Sequence, residues 1–76
     1  MKEMLRDIAA ALVDDPEQIK IIERTEPDGT LVLELTVAKE DMGKVIGRKG
    51  RIAKSIRTMM KAAASKAGKK VNIEII

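Results

Sequence analysis

The chain has 76 residues and no Cys, His, Phe, Tyr or Trp, which excludes disulfides, thiolate and imidazole chemistry, and the stacking of bases on aromatic rings. Its net charge of +3 hides an asymmetry: residues 1–42 carry 5 basic and 11 acidic side chains, whereas residues 43–76 carry 10 basic and 1 acidic. This distribution predicts a surface that faces a polyanion, with a solvated basic helix as the alternative. We expect a single cytoplasmic domain over residues 1–76, because no apolar run approaches the roughly 20 residues of a membrane span and the charged first turns are unlike a signal peptide.

The first half of the chain predicts a helix and a β-hairpin. Residues 1–13 repeat apolar side chains at helical spacing, and we expect the helix to end before Pro16, because the residue before a proline avoids helical backbone angles. Isoleucines open a strand over residues 19–25, and residues 26–30 contain the Pro, Asp and Gly of a tight turn. Residues 31–37 place Leu or Val at every second position, which is typical of a half-buried strand. The two strands are therefore expected to pair antiparallel.

The second half predicts two helices separated by glycines, and then a strand. Residues 39–46 begin with acidic side chains, which the helix dipole favours, and residues 51–67 repeat apolar side chains on one helical face. Gly68 is expected to stop this long helix. Residues 71–76 alternate as a final strand, which can lie parallel to the preceding strand through a right-handed helical crossover. The expected fold class is α+β, with the order α-β-β-α-α-β, a three-stranded mixed sheet and helices packed on one face.

The segment VIGRKGRIAKSI contains the main candidate for a binding site. Gly47 and Gly50 permit a tight turn and the close approach of a ligand, and the next helix begins at Arg51 with amide groups that are expected to be unpaired. A helix N-terminus of this kind binds anions, so Arg48 and Lys49 are expected to project outward as phosphate contacts. Four cations are expected to extend the positive field on both sides of the turn: Lys44, Arg51, Lys54 and Arg57.

An aliphatic groove beside the turn is expected to hold the bases of a bound strand. Val45, Ile46 and Ile52, together with one edge of the strand over residues 31–37, are the candidates for its floor. Phosphate contacts position a nucleic acid but carry no base information, and the chain lacks the aromatic stacking that contributes about 1–3 kcal/mol per base. We therefore expect weak binding with a loose sequence preference.

Other kinds of site are disfavoured by the spacing of the residues. The glycines match neither the G-x-x-x-x-G-K-[ST] loop of nucleotide hydrolases nor the G-x-G start of a dinucleotide fingerprint; a bare turn between two helices is the alternative, but it has no need of the cations. Ser55 and Ser65 have no histidine to activate them. Asp14, Asp15 and Glu17 flank a proline and are interpreted as a solvated turn. The sequence thus predicts no enzyme activity, no metal and no cofactor.

The adjacent Met59 and Met60 cannot both face the centre of the core, because neighbouring helical residues point about 100° apart. One of them is expected at the margin, where Ala62, Ala63 and Ala64 make a helix face suited to a partner helix. We predict a homodimer through the long helix, with Met59 and Ala63 at the contact. A broad core stripe is the alternative interpretation.

The segment VIGRKGRIAKSI resembles the signature of the KH domain, a module that binds RNA and single-stranded DNA through a GXXG loop. The resemblance covers essentially the whole chain; the order α-β-β-α-α-β is similar to the type II arrangement, and the chain looks most like the small single-KH RNA-binding proteins of bacteria, the KhpA family. It implies that Gly47 to Gly50 is the GXXG loop and that Ile46, Ile52 and Ile56 are the aliphatic positions around it. It also implies RNA binding in the cytoplasm, self-association, and pairing with a second, larger KH-containing protein.

Two hypotheses of different classes follow. The first is a non-enzymatic protein that holds short single-stranded RNA, or single-stranded DNA, through the GXXG loop and the adjoining groove, as a post-transcriptional regulator or RNA chaperone. The second is an interaction subunit that docks a larger KH-containing protein, with RNA binding secondary. The acidic first half and the Met/Ala helix face favour the second.

Overall fold

Three helices and three strands follow one another in the computed structural model, which describes residues 1–76. They are α1 (Lys2–Leu12), β1 (Lys20–Thr25), β2 (Leu31–Thr36), α2 (Met42–Ile46), α3 (Arg51–Lys66) and β3 (Val71–Ile75). Three-residue 3-10 turns precede β1, α2 and α3, at Pro16–Gln18, Lys39–Asp41 and Arg48–Gly50. The predicted order α-β-β-α-α-β is confirmed, but the helix predicted over residues 39–46 is split into a 3-10 turn and the short α2.

The sheet is mixed, with β2 at its centre, antiparallel to β1 and parallel to β3. The pairing places Ile21 opposite Leu35, and Leu33 opposite Ile73. Because successive side chains of a strand point to opposite faces, these four lie on the same face. Both the hairpin and the parallel crossover agree with the prediction, and β1 and β3 are left as the edge strands.

The helices pack on that one face of the sheet and close an aliphatic core. Its fully buried members include Leu5 and Ala9 of α1, Val45 of α2, and Ile56, Met60 and Ala64 of α3. Each fully buried large aliphatic side chain contributes about 1.5–3 kcal/mol relative to exposure, so α3 is held mainly by its core-facing stripe. None of the three helices has the length and apolar content needed to cross a membrane.

The opposite face of the sheet has a group of surface ion pairs. Arg24 of β1 forms ion pairs with Glu34 of β2 and Glu74 of β3, so one guanidinium spans all three strands. Val32, which pairs with Arg24 across the hairpin, is buried on this face. The strand predicted to be half-buried is therefore buried on both faces at Val32, because side chains of the strands on either side cover it there.

Gly68 ends α3 in the way that the sequence predicts. Its φ of +72° lies in the left-handed region, and the Lys69 N–H donates to the Ala64 carbonyl oxygen at 2.8 Å. This hydrogen bond, together with a glycine in the left-handed conformation, is a common way for a helix to end. The chain reverses there, so β3 runs back along the flank of α3.

Candidate nucleic-acid interface

The glycine loop, residues 47–50, has a backbone that its glycines make possible. Gly47 has φ +76° and ψ 175°, Lys49 has φ +58°, and Gly50 has φ +74°. A Cβ atom on Gly47 would lie 2.6 Å from Cγ1 of Ile52, well inside contact distance. Glycine is thus required at position 47 both for its backbone angles and for the close packing of Ile52 beneath it.

Some backbone N–H groups of the loop donate hydrogen bonds within the loop, and others do not. The Gly50 N–H donates to the Gly47 carbonyl oxygen at 3.2 Å, and the Arg51 N–H donates to that of Arg48. The expectation that the first amide of the long helix is unpaired is therefore wrong for Arg51. No loop hydrogen bond uses the N–H of Arg48 or Lys49, which leaves both available to an anion held in a concave run of amides.

Two cations project from this loop without a counter-charge. Arg48 and Lys49 are exposed, and neither forms an ion pair. Arg51 and Lys54, on the first turn of α3, are exposed and unpaired as well. These four side chains therefore form an exposed cationic surface without carboxylate partners.

Lys44 differs from the prediction, because two carboxylates hold its charge. Its Nζ lies 2.6 Å from Oδ2 of Asp14 and 3.1 Å from Oδ1 of Asp41. Hydrogen bonds to these two carboxylates, Asp14 first, raise the pKa of Lys44 above its usual value. Lys44 thus has a structural role, because its ion pairs connect α2 to the segment that follows α1. Its charge contributes little to the positive potential around the glycine loop.

Asp41 is the buried partner in this cluster, with 2% of its surface exposed. Its Oδ2 accepts the Asp15 N–H at 3.1 Å, and its Oδ1 accepts from Lys44. Burial by itself raises the pKa of Asp41, but the hydrogen bonds from Lys44 and from backbone amides outweigh it and hold the pKa below its usual value. The carboxylate therefore stays ionised and fixes the start of α2, which leads into the glycine loop.

The aliphatic groove is built differently from the prediction. Val45 is 0% exposed and belongs to the core, so it supports the groove from beneath and cannot touch a base. Ile46 is 37% exposed and Ile52 is half-buried beside it. The prediction that one edge of the strand over residues 31–37 forms part of the groove is wrong, because β2 is the central strand and both its edges are hydrogen-bonded to neighbouring strands.

The free strand edge beside α3 belongs to β3. The Arg57 Nε donates to the carbonyl oxygen of Ile73 at 3.2 Å, across the gap between α3 and β3. Lys54, Arg57 and Lys61 are spaced at i, i+3 and i+7, which puts them on one flank of the helix. Lys61 was missed as a candidate, although this spacing could have indicated it.

The methionine pair divides as the sequence predicts. Met60 is fully buried, whereas Met59 is 46% exposed. Ala64 is also fully buried, so its predicted place on a partner-facing surface is wrong, and Ala63 is half-buried. Met59 lines an open apolar groove of about 320 Å³ between α1 and α3, together with Ile8, Ala11, Leu12, Ile52 and Ile56.

Comparison with known proteins places the chain among small bacterial relatives of similar length. The family described as KhpA/KhpB, KH domain, matches residues 2–75. The RNA-binding protein KhpA of Clostridium acetobutylicum is 55% identical over 76 residues, with both chains covered in full. The protein of the same name from Chlamydia trachomatis is 46% identical over 76 residues, all of this chain and 96% of that one.

Solved structures of a larger protein, Era, share the fold. Era in complex with MgGDPNP and nucleotides 1506–1542 of 16S ribosomal RNA superposes with a TM-score of 0.64 at 25% identity, over 97% of this chain and 28% of Era. A point variant of Aquifex aeolicus Era bound to GDP·AlF4⁻ gives a TM-score of 0.61 at 26% identity, over 97% of this chain and 28% of that one. With the α-β-β-α-α-β order and the mixed sheet, this likeness confirms the predicted type II KH fold. The chain belongs to the KhpA/KhpB family of KH domains.

Proposed function

We propose that this chain is a non-catalytic RNA-binding protein that holds a short single-stranded segment on its glycine loop. The observation that carries the proposal is the loop itself: a left-handed backbone presents two unpaired cations, Arg48 and Lys49, and their two unused amides. The relatives from Clostridium and Chlamydia are RNA-binding proteins by name, and Era was solved with an RNA. A role as post-transcriptional regulator or RNA chaperone is the finer form of this proposal.

The phosphate backbone and the bases are assigned to different parts of the surface. Phosphate oxygens accept from the loop amides and from Arg48 and Lys49, which positions the strand without reading its sequence. Bases lie against Ile46 and Ile52, and their edges reach the outward-facing backbone groups of β3. Without aromatic stacking the base contacts are weak, so we expect modest affinity and a loose sequence preference.

The proposal is tested by reversing the two loop charges, with Arg48→Asp and Lys49→Asp combined. Charged hydrogen bonds contribute about 1.5–3 kcal/mol each, so losing two lowers affinity for a single-stranded oligoribonucleotide by about 100-fold or more. Circular dichroism should be unchanged, because both side chains are exposed. The matched control combines Lys2→Asp and Arg6→Asp on the exposed side of α1, which alters net charge equally. Equal binding by the loop variant and the control would refute the proposal.

A salt titration gives a second measurement of the same contacts. Each neutralised phosphate contributes about −0.7 to the slope of log affinity against log salt for a single strand. With roughly three to five contacts the slope is about −2 to −3.5. A flat response would contradict binding through the phosphate backbone.

We also propose that a second copy of the chain covers the Met59 end of the apolar groove and leaves Ile52, near the glycine loop, to the RNA. A two-fold contact would place the same groove on both sides and bury both Met59 side chains. Met59→Glu should then convert a dimer into a monomer in sedimentation, with its melting temperature measured as a check on folding. A monomeric wild-type chain at micromolar concentration would remove this proposal. Protein that co-purifies with the wild type after RNase treatment would instead favour a different partner, such as a larger KH-containing protein.

A further inference from the structure

A basic cleft lies at the end of α3 that is remote from the glycine loop. It has a volume of about 390 Å³, and six polar residues line it: Thr30, Lys61, Ser65, Lys69, Lys70 and Asn72. The lining contains lysine, hydroxyl and amide groups and no carboxylate. Such a set of donors is suited to a phosphate group and not to a metal ion.

The lysines of this cleft, Lys61, Lys69 and Lys70, form no ion pair within the chain, and only Lys70 is close to a carboxylate. The nearby Asp28 accepts the Thr30 N–H at 2.9 Å, and this hydrogen bond, with a smaller contribution from the charge of Lys70, holds the pKa of Asp28 below its usual value. Lys70 is thus partly balanced by Asp28, and Lys61 and Lys69 are the two cations left to an external anion.

One flank of α3 carries basic side chains between the glycine loop and the cleft. Lys54, Arg57, Lys61 and Ser65 follow one another at intervals of three or four residues, which keeps them on the same side of the helix. Arg57 contacts the Ile73 carbonyl of β3, and further along the same flank Lys61 and Ser65 line the cleft. At 1.5 Å per residue the path from Arg51 to Ser65 is about 21 Å long.

We propose that this cleft is a second phosphate site, which binds the backbone of the same RNA strand beyond the nucleotides held at the glycine loop. The inference rests on the proposed function and extends it, because a GXXG loop clamps about four nucleotides. A strand with about four nucleotides held at the loop needs further nucleotides to reach Lys61 and Lys69. Affinity and salt dependence should therefore increase with the length of the RNA.

The test compares a four-nucleotide with a ten-nucleotide oligouridylate, titrated at several salt concentrations. The wild type should show the steeper salt slope with the longer strand. Lys61→Gln and Lys69→Gln should each reduce that slope by about 0.7 and leave the slope for the short strand unchanged. The matched control is Lys66→Gln, which removes the same charge from an exposed position of α3 outside the cleft and should change neither slope.

The outcomes separate this inference from the function on which it rests. Equal slopes for both strands in the wild type, or an equal effect of Lys66→Gln, would overturn the second site while leaving the loop intact. Failure of the short strand to depend on Arg48 and Lys49 would instead refute the proposed function. The three lysine side chains are exposed, so unchanged melting temperatures should accompany all of these variants.

Discussion

Replacing Gly47 by Ala should be the most damaging single methyl addition in the glycine loop. The backbone at φ +76° and ψ 175° is in a region that essentially glycine alone adopts. The new Cβ would lie 2.6 Å from Cγ1, 2.9 Å from Cβ and 2.9 Å from Cδ1 of Ile52. Relief requires Ile52 to move, and that side chain packs against the core.

The free energy of unfolding of the Gly47→Ala variant can be worked from these terms. The backbone conformation costs about 1–3 kcal/mol, and forcing a methyl group against Ile52 costs about 1–3 kcal/mol. The reduced entropy of the unfolded chain offsets about 0.4–1 kcal/mol. The net destabilisation is about 1–5.6 kcal/mol, which compares with the roughly 4–11 kcal/mol expected for the total stability of a chain of this size.

Two other glycines provide matched controls for the same substitution. Gly50 has φ +74° but nothing within 4 Å of its added Cβ, so Gly50→Ala should cost about 1 kcal/mol. Gly43 is in α2 with an ordinary φ and open space, so Gly43→Ala should stabilise by about 0.5–1 kcal/mol.

Urea denaturation of the three variants measures the series directly. The expected order of stability is Gly43→Ala, wild type, Gly50→Ala and Gly47→Ala, from highest to lowest. If Gly47→Ala costs no more than Gly50→Ala, then Ile52 does not pack under the loop as the structure shows.

The remaining predictions concern Asp41, Lys44 and the methionine pair. Folding lowers the pKa of Asp41. Its carboxylate therefore stabilises the fold at pH values above the unfolded pKa of about 3.9, and this stabilisation is lost as the pH falls through the folded pKa. Asp41→Asn should therefore lower the urea midpoint at pH 7 by more than it does at pH 3, and an equal loss at both would contradict this. Lys44→Gln should leave the slope of log affinity for RNA against log salt unchanged, whereas Arg48→Gln should reduce that slope by about 0.7. A reduced slope for Lys44→Gln would mean that Lys44 belongs to the binding surface after all. Met60→Ala should destabilise the fold by about 2–5 kcal/mol. Met59→Ala should cost much less in calorimetry at a protein concentration low enough to keep the chain monomeric, and similar losses under that condition would mean that both side chains face the core.

The elements of the fold could be predicted from local pattern, and the composition of the groove could not. Helical periodicity in residues 51–67 predicted α3, and Gly68 marked its end. The edge strand beside α3 was assigned wrongly, because alternation in β2 and β3 shows which side chains are buried and not which strand has two neighbours. The fully buried Val45 likewise sits next to the half-exposed Ile46, and only packing against α1 and the sheet decides which of the two turns inward.

The sequence by itself determined where this protein turns, because the glycines at positions 47 and 50 permit backbone angles that other residues avoid. It also determined which half of the chain is basic, because the cations are in excess after residue 43. Tertiary structure alone decided which cations are free. Lys44 is neutralised by Asp14, 30 positions away, whereas Arg48 and Lys49 have no carboxylate partner. The physical reason is that the attraction between two charges depends on their distance in space. Folding brings together groups that are far apart in the sequence, and the sequence does not indicate which of them will meet.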